Sequence, residues 1–292
     1  MKAAAFSYAR PQHLNEVLSL IAEHGDEARL LAGGQTLLAT LNMRLSEPAL
    51  LIDLQGVSEL KTLSLLGDRL RIGAMVTHTE IETSRLVATH APLLSAAAPH
   101  IAHRAIRNLG TFGGSIAYGD PAAEWPACLL ALNGVIVLRS QRGERRLAAD
   151  DFFTGLYTTE LAPDEIIVAC EIPVAQGGQK FSFSELARRH GDYAVVGLAA
   201  AATVERGLMA KVRLAWIGVG STPLRTPLAE QALQGQSLTT QAIDHAIQVL
   251  RGELHPIPDL THSEAAKRQL ASVLLKRALQ GWAHASGTLV PA

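Results

Sequence analysis

Little in this sequence is suited to holding a metal or a nucleic acid. Only two cysteines are present, Cys128 and Cys170, each inside an apolar run and neither in a CxxC pair. An iron–sulfur cluster or a four-ligand zinc site within the chain is thereby excluded, since either needs several ligands converging on one point. Eleven histidines are scattered without an HExxH motif. GxSxG and GxGxxG are missing too, so neither a hydrolase elbow nor a classical NAD site is indicated. Aromatic residues make up 4% and the net charge is −1. That leaves neither stacking platforms for single strands nor an electrostatic field for nucleic acid or anionic membrane. No run reaches the roughly 18 uninterrupted apolar residues of a membrane helix. The N-terminal MKAAAFSYARPQHL lacks the apolar core of a secretion signal. A soluble, cytoplasmic chain with buried, reduced thiols is expected.

What is present is a globular composition: 292 residues, 48% hydrophobic and 18% charged, long enough for two domains. The mean hydropathy of +0.16 is on the high side for a free monomer and suits a chain that buries exterior against partners. Leu14, Val17, Leu18 and Ile21 mark one helical face ended by Gly25. Residues 29–32 and 50–54 read as short strands on either side of a helix over 35–41. The crossover implies that they pair in parallel. Beyond Gly56, RLRIGA alternates as a strand, Thr77 to Glu80 forms a capping box, and a helix is expected from about Pro92 to Ile101. Strands at 134–140 and 165–173 enclose a turn region rich in Arg and Gly. The cluster after Pro173 marks a domain boundary. FSFSEL, 193–205 and 210–220 suggest an antiparallel meander, the Ala-rich run kept as strand because of its β-branched residues. Thr226-Pro227 opens a helix, Ile243, Ala246, Ile247 and Leu250 form a stripe, and a long final helix runs from Glu264 to about His284, capped by Thr261.

Two glycine steps carry the chemistry. Gly33-Gly34 precedes Thr36 and Gly113-Gly114 precedes Ser115, each after an apolar run. Glycine reaches positive φ and lets another group approach the main chain. Successive N–H groups in such turns form an anion site without Lys or Arg. Two of them together suit the two phosphates of a dinucleotide. Leu31, Ala32, Gln35, Thr36, Thr111 and Ser115 flank them, and the hydroxyls and amide add donors. Asp120 and Glu124 follow the second step. A carboxylate accepts both hydroxyls of a ribose, or these acids simply begin a helix at its positive end.

Four segments, AGGQTLL (32–38), RIGAMVTH (71–78), TFGGSIAYGDPAAEWPA (111–127) and ARRHGDYA (187–194), together resemble the FAD-binding medium subunit of the molybdenum hydroxylases. That family includes xanthine dehydrogenase and aerobic carbon monoxide dehydrogenase, and the likeness spans essentially the whole chain. It implies an α+β fold, with a two-part FAD-binding domain of the PCMH/vanillyl-alcohol-oxidase type at 1–176, divided at about 55. A C-terminal domain at 177–292 would hold a three-stranded antiparallel sheet with a helix bundle. The resemblance assigns both glycine steps to FAD and Glu124 to ribose, and gives Ile101 and Ile167 apolar contacts with the cofactor. It places Tyr193 over the flavin ring. Ile101 and Ile167 read equally well as plain core, and Tyr193 as a strand residue with its ring inside. Arg188 and Arg189 would offset phosphate charge or pair with a neighbour. A lysine that contacts the cofactor in some relatives is replaced by Ser184-Glu185.

Also implied are a small partner subunit with 2Fe-2S clusters and a large one with a molybdopterin-type molybdenum cofactor, as a dimer of heterotrimers. Electrons would leave through FAD to an external acceptor. The alternatives are a self-sufficient FAD oxidoreductase of the same fold, for which no acid–base pair is evident, and a flavin-free scaffold, which has no need of two anion turns.

Overall fold

The computed structural model describes residues 2–285; residue 1 and residues 286–292, the end of the expected C-terminal domain, lie outside the described residues. The first unit runs β1 (Ser7–Ala9), α1 (Leu14–His24), β2 (Ala28–Leu31), α2 (Leu37–Asn42), β3 (Leu50–Asp53). Val17, Leu18 and Ile21 are the buried face of α1, which stops at Gly25 with φ 49°. The strands lie in the order β1-β3-β2, with both neighbours parallel to β3. β1 has no counterpart in the sequence reading. It is short and mostly exposed, and it exists because β3 offers a free edge. Asp53 at the end of β3 is buried, accepting from the Tyr8 hydroxyl and from the Gln55 N–H.

The second unit contains β4 (Leu63–Leu66), β5 (Arg69–Gly73), α3 (His78–Thr83), α4 (Arg85–His90), α5 (Pro92–Ala97), α6 (Arg104–Arg107), α7 (Phe112–Tyr118) and α8 (Glu124–Ala131). It continues with β6 (Val135–Ser140), β7 (Gly143–Ala148), β8 (Phe153–Gly155), β9 (Thr158–Thr159) and β10 (Ile166–Pro173). Its main sheet is antiparallel, ordered β4-β5-β10-β6-β7. The capping box at Thr77 and Glu80 is formed. The helix expected to Ile101 is α5 followed by a 3-10 turn over Ala98–His100, since Pro99 has no N–H to continue the α ladder. The Arg- and Gly-rich stretch expected as a turn is instead β7. This edge strand has no apolar alternation to betray it, and its charges are matched: Arg145 pairs with Glu165, and Arg146 with Glu171.

The third unit is an antiparallel sheet of β11 (Gln179–Ala187), β12 (Ala194–Glu205), β13 (Leu208–Ile217) and β14 (Leu224–Arg225), covered by α9 (Pro227–Leu233), α10 (Thr240–Glu253) and α11 (Glu264–Ala285). The meander is present, extended by the two-residue β14. The alanines of β12 are explained by helices on both faces. Ala199 joins the core under α8, while Ala200 and Ala202 join the core with α9 to α11. Small side chains let both layers approach the sheet. Thr226 precedes Pro227, but its hydroxyl accepts from the Trp216 indole N–H at 3.0 Å and caps no helix N–H. Thr261 does not cap α11 either. It bonds Asp259, two residues too early, and Ser263 accepts from the Ala266 N–H at 3.2 Å.

The third unit is docked onto the second over α8. Gly218 N–H donates to Pro121 O at 3.0 Å, and Arg213 donates to Leu130 O at 2.7 Å while gripping Asp150. Within the second unit, Glu171 is 1% exposed and held by Arg71 and Arg146. Burial alone would raise its carboxyl, but the hydrogen bonds from Arg146 and then Arg71 prevail and hold it below the ordinary glutamate value. A depressed folded value stabilises the fold above the unfolded pKa, and that stability is lost as pH falls. Glu171→Gln is expected to cost about 1–2 kcal/mol at pH 7, the partly exposed arginines limiting the loss. The gap should narrow toward pH 4 in urea titrations of the two proteins.

Candidate cofactor site

β2 ends at Leu31, and the chain turns through Ala32, Gly33 and Gly34 before α2 begins at Leu37. Gly34 has φ +70°, a conformation that L side chains rarely adopt. The Gln35 side chain bonds Gly33 O at 3.0 Å and Leu38 N–H bonds Gly34 O at 3.1 Å, which tightens the turn. Among the described residues, the N–H groups of Gly34, Gln35 and Thr36 donate to nothing in the chain. Three successive unpaired donors around a left-handed glycine make a concave anion site.

The second glycine step is built differently. Thr111 is the N-cap of α7, its hydroxyl accepting from Gly114 N–H at 3.2 Å, and Gly113 and Gly114 lie in the first helical turn. Phe112 N–H donates to Val76 O (2.9 Å), Gly113 N–H to Ala74 O (2.8 Å) and Ser115 N–H to Thr111 O (3.1 Å). The expected donors at 113 and 114 are therefore taken within the chain. These glycines act by being small. A Cβ on Gly113 would stand 2.6 Å from Ala74 Cα, and one on Gly114 would stand 2.8 Å from Thr111 Oγ1 and 3.4 Å from Ala32 Cβ. A Cβ on Gly33 would overlap Leu109 O and lie 2.7 Å from Gly110 Cα. The two glycine segments thus pack on each other. The Ser115 hydroxyl has no partner among the described residues.

The carboxylates and tyrosines gather at one end of α7. Asp120 is buried and accepts from Ala122 N–H at 2.8 Å, making a turn ahead of α8 rather than capping it; burial raises its carboxyl. Glu124 is the first residue of α8, its carboxyl pushed up to about 8 by burial, then by Glu185 and more weakly by Asp120. The rings of Tyr118 and Tyr157 lie 5.0 Å apart. Tyr193 is 70% exposed, so its ring is not in the core. Asp120, Tyr157, Tyr118 and Glu124 lie near enough to act on its phenol, which is raised first by desolvation and then by these groups. Its loop rests on the preceding unit. A Cβ on Gly191 would stand 2.8 Å from the His103 ring. Arg188 and Arg189 face Asp192 at 3.7 and 3.8 Å.

Ile101 and Ile167 are both buried in the core that contains Phe112, Ile116 and Trp125. Ile167 precedes a bulge in β10, where Val168 O accepts from Ala74 N–H at 3.0 Å, the same Ala74 that receives Gly113. Two supporting residues escaped the sequence reading. Arg107 is buried and bonds Ile101 O and Ala102 O, each at 3.0 Å, with Glu82 neutralising it. His78 accepts from the Trp125 indole N–H at 2.9 Å and sits against Gly110. Burial and the nearby Arg107 lower it to about 4, so it is neutral at physiological pH. Neither carried a spacing signal; both are defined by what folds around them. Among the described residues no group of three or more His, Cys, Asp or Glu could hold a metal ion. No described helix is long and apolar enough to cross a membrane.

Unpaired main-chain N–H groups can accept an anion and carboxylates can accept hydroxyls, so these segments offer the donor and acceptor types that a dinucleotide cofactor needs. Residues 4–175 match the family model of the FAD binding domain in molybdopterin dehydrogenase. Residues 181–281 match that of the CO dehydrogenase flavoprotein C-terminal domain. The chain is 40% identical to the nicotine 6-hydroxylase medium subunit of Paenarthrobacter nicotinovorans, covering 96% of this chain and 98% of that one. Its structure superposes on carbon monoxide dehydrogenase from Hydrogenophaga pseudoflava with a TM-score of 0.94 at 35% identity, over 97% of this chain and 99% of that one. Against quinoline 2-oxidoreductase from Pseudomonas putida 86 the TM-score is 0.92 at 36% identity, over 99% and 100%.

Because the Thr111 hydroxyl caps α7, Thr111→Val is expected to lower stability by about 1 kcal/mol. Guanidinium titration of the two chains measures the difference; an unchanged midpoint would mean that the cap contributes nothing.

Proposed function

The chain belongs to the family of FAD-binding medium subunits of the molybdenum hydroxylases, and from that premise we propose a residue-level account of how it works as the flavoprotein subunit of an oxidoreductase complex. The observation that carries it is the packing of the 32–36 turn on the 109–115 segment, with the N–H groups of Gly34, Gln35 and Thr36 donating to no partner among the described residues. These donors, with Ala32 at their base and the Thr36 and Ser115 hydroxyls beside them, take the diphosphate of FAD. Gly33, Gly113, Gly114 and Thr111 hold the two segments together. Asp120 shapes the turn that presents Glu124 to ribose hydroxyls. Leu31, Ile101 and Ile167 form apolar walls, and Tyr193, free of the core, restricts access to the flavin ring.

Bound FAD supplies electron storage between a one-electron donor and an external acceptor. The residues named here bind it, orient it and exclude water, and no general acid or base from this chain is required. With only two cysteines, both buried, the chain has no cluster ligands of its own. We place 2Fe-2S clusters on a small partner subunit and the molybdopterin-type cofactor on a large one, as a dimer of heterotrimers. The domain division is 1–176, with subdomains meeting near 55, and 177–292. The cytoplasm is the proposed location.

An absorption spectrum of the complex captured by the tagged chain, with metal analysis, tests this reading. Flavin bands with iron and molybdenum are expected. Flavin without partners and with its own turnover would favour a self-sufficient oxidoreductase; a colourless chain after FAD addition would favour a scaffold. Gly33→Ala is expected to weaken FAD binding at least tenfold, about 1.4 kcal/mol, because the methyl displaces the Leu109–Gly110 main chain. Flavin fluorescence titration reads the affinity, and wild-type affinity in this variant would remove the core of the reading.

A further inference from the structure

Gly218, in the turn after β13, is gripped by a buried lysine. Lys267 of α11 is 6% exposed, and its Nζ donates to Gly218 O at 2.9 Å and lies 3.0 Å from Asp259 Oδ2. It stands in the first turn of the helix, where the macrodipole disfavours a cation, and burial adds to that cost. Asp259 and the Gly218 carbonyl offset both. Asp259 is itself fixed, its Oδ1 accepting from the Thr261 N–H at 2.8 Å and the His262 N–H at 2.9 Å. The Ile257 N–H donates to Val219 O at 2.8 Å, so the chain leading into α11 seats twice on the same turn.

Three segments meet at Gly218. Its φ is +75°, and a Cβ there would stand 2.7 Å from Val195 O and 2.8 Å from Ala194 O, so only glycine suits the position. Those two carbonyls follow directly on Tyr193. The Gly218 N–H donates to Pro121 O at 3.0 Å, and Pro121 lies between Asp120 and the Ala122 N–H that donates to the Asp120 carboxylate. Glu124 then opens α8. One glycine thus touches the chain behind Tyr193 and the turn that carries both carboxylates, while Lys267 holds its carbonyl.

We propose that Lys267 is a positioning residue for the cofactor: through Gly218 it sets the place of the Pro121 turn and of residues 194–195, and so of Asp120, Glu124 and Tyr193. This rests on the reading of those three residues as cofactor contacts. Retention of FAD then depends on a helix of the C-terminal unit that does not touch the cofactor. Without the ammonium the Gly218 carbonyl loses its donor, and the turn shifts to find another.

Flavin fluorescence titration of the full chain gives the affinity for FAD, and visible circular dichroism at saturating FAD reports how the ring is held. Lys267→Met is expected to bind FAD about tenfold more weakly, the size of one lost charge-assisted hydrogen bond at the turn, with altered flavin dichroism. Lys267→Arg, which keeps a cationic donor, should recover most of the affinity and the wild-type bands. Arg251→Met removes a bond of 3.1 Å to Ser272 of the same helix, and it should lower the Tm while leaving affinity and dichroism unchanged. Wild-type affinity and dichroism in Lys267→Met overturn the proposal. Equal losses in Lys267→Met and Arg251→Met overturn it too, since they would reflect a general loosening of α11. If Lys267→Met does not fold, Asp259→Asn decides: weaker binding with altered dichroism is expected, and wild-type values in this variant overturn the relay. A wild type that binds no FAD overturns the function proposed above and the relay with it.

Discussion

The site depends on two main-chain segments lying closer than side chains allow. Gly33 rests on the carbonyl of Leu109 and on Gly110, while Gly114 faces Ala32 across a gap into which one methyl would barely fit. Because glycines and one alanine meet at this contact, the two main chains approach closely between the parallel three-stranded sheet and α7. Donors that would otherwise be shielded at 34–36 are left open. An anion held there needs no arginine, and none is present in either segment.

A polar scaffold beneath keeps that approach in register. The bulge at Val168 feeds Ala74, and Ala74 receives Gly113. His78 links Trp125 of α8 to the Gly110 turn as a neutral imidazole, and Arg107 ties down the carbonyls of Ile101 and Ala102, the latter at a positive φ of 43°. Each of these buried groups is paired, which is the condition for polar atoms to sit in a core at all. The C-terminal sheet closes the other side. Its alanines admit α8, its Gly191 loop rests on His103, and Tyr193 comes near enough to Asp120 and Glu124 for both to act on its phenol.

Much of this was legible beforehand. The apolar periodicity of α1 and α10, the capping box at Thr77 and the strands β5, β6, β10, β12 and β13 were visible because they are set by local burial and local hydrogen bonding. β1, β7 and β14 were not. Each is an edge or a short strand whose residues are polar or exposed, so that only a neighbour's free edge makes it a strand. The caps at Thr226 and Thr261 failed for a related reason: a hydroxyl takes the nearest good partner, and Trp216 and Asp259 were nearer.

By its composition the sequence determined a globular α+β chain, and the order of its four motifs, through their resemblance to the medium subunits, determined a flavoprotein subunit, because short motifs in a fixed order keep their chemistry when the rest of the sequence drifts. Only the tertiary structure decided that the two glycine steps differ in kind, the first exposing N–H groups and the second using its own for packing. It also decided that the side chain of Glu185 in β11 is buried beside His100, with one carboxylate oxygen left without a hydrogen-bond partner among the described residues. Hydrogen-bond donors are spoken for, and carboxylates are buried, only when distant strands and helices close over them. No pattern along the chain records which partner will arrive.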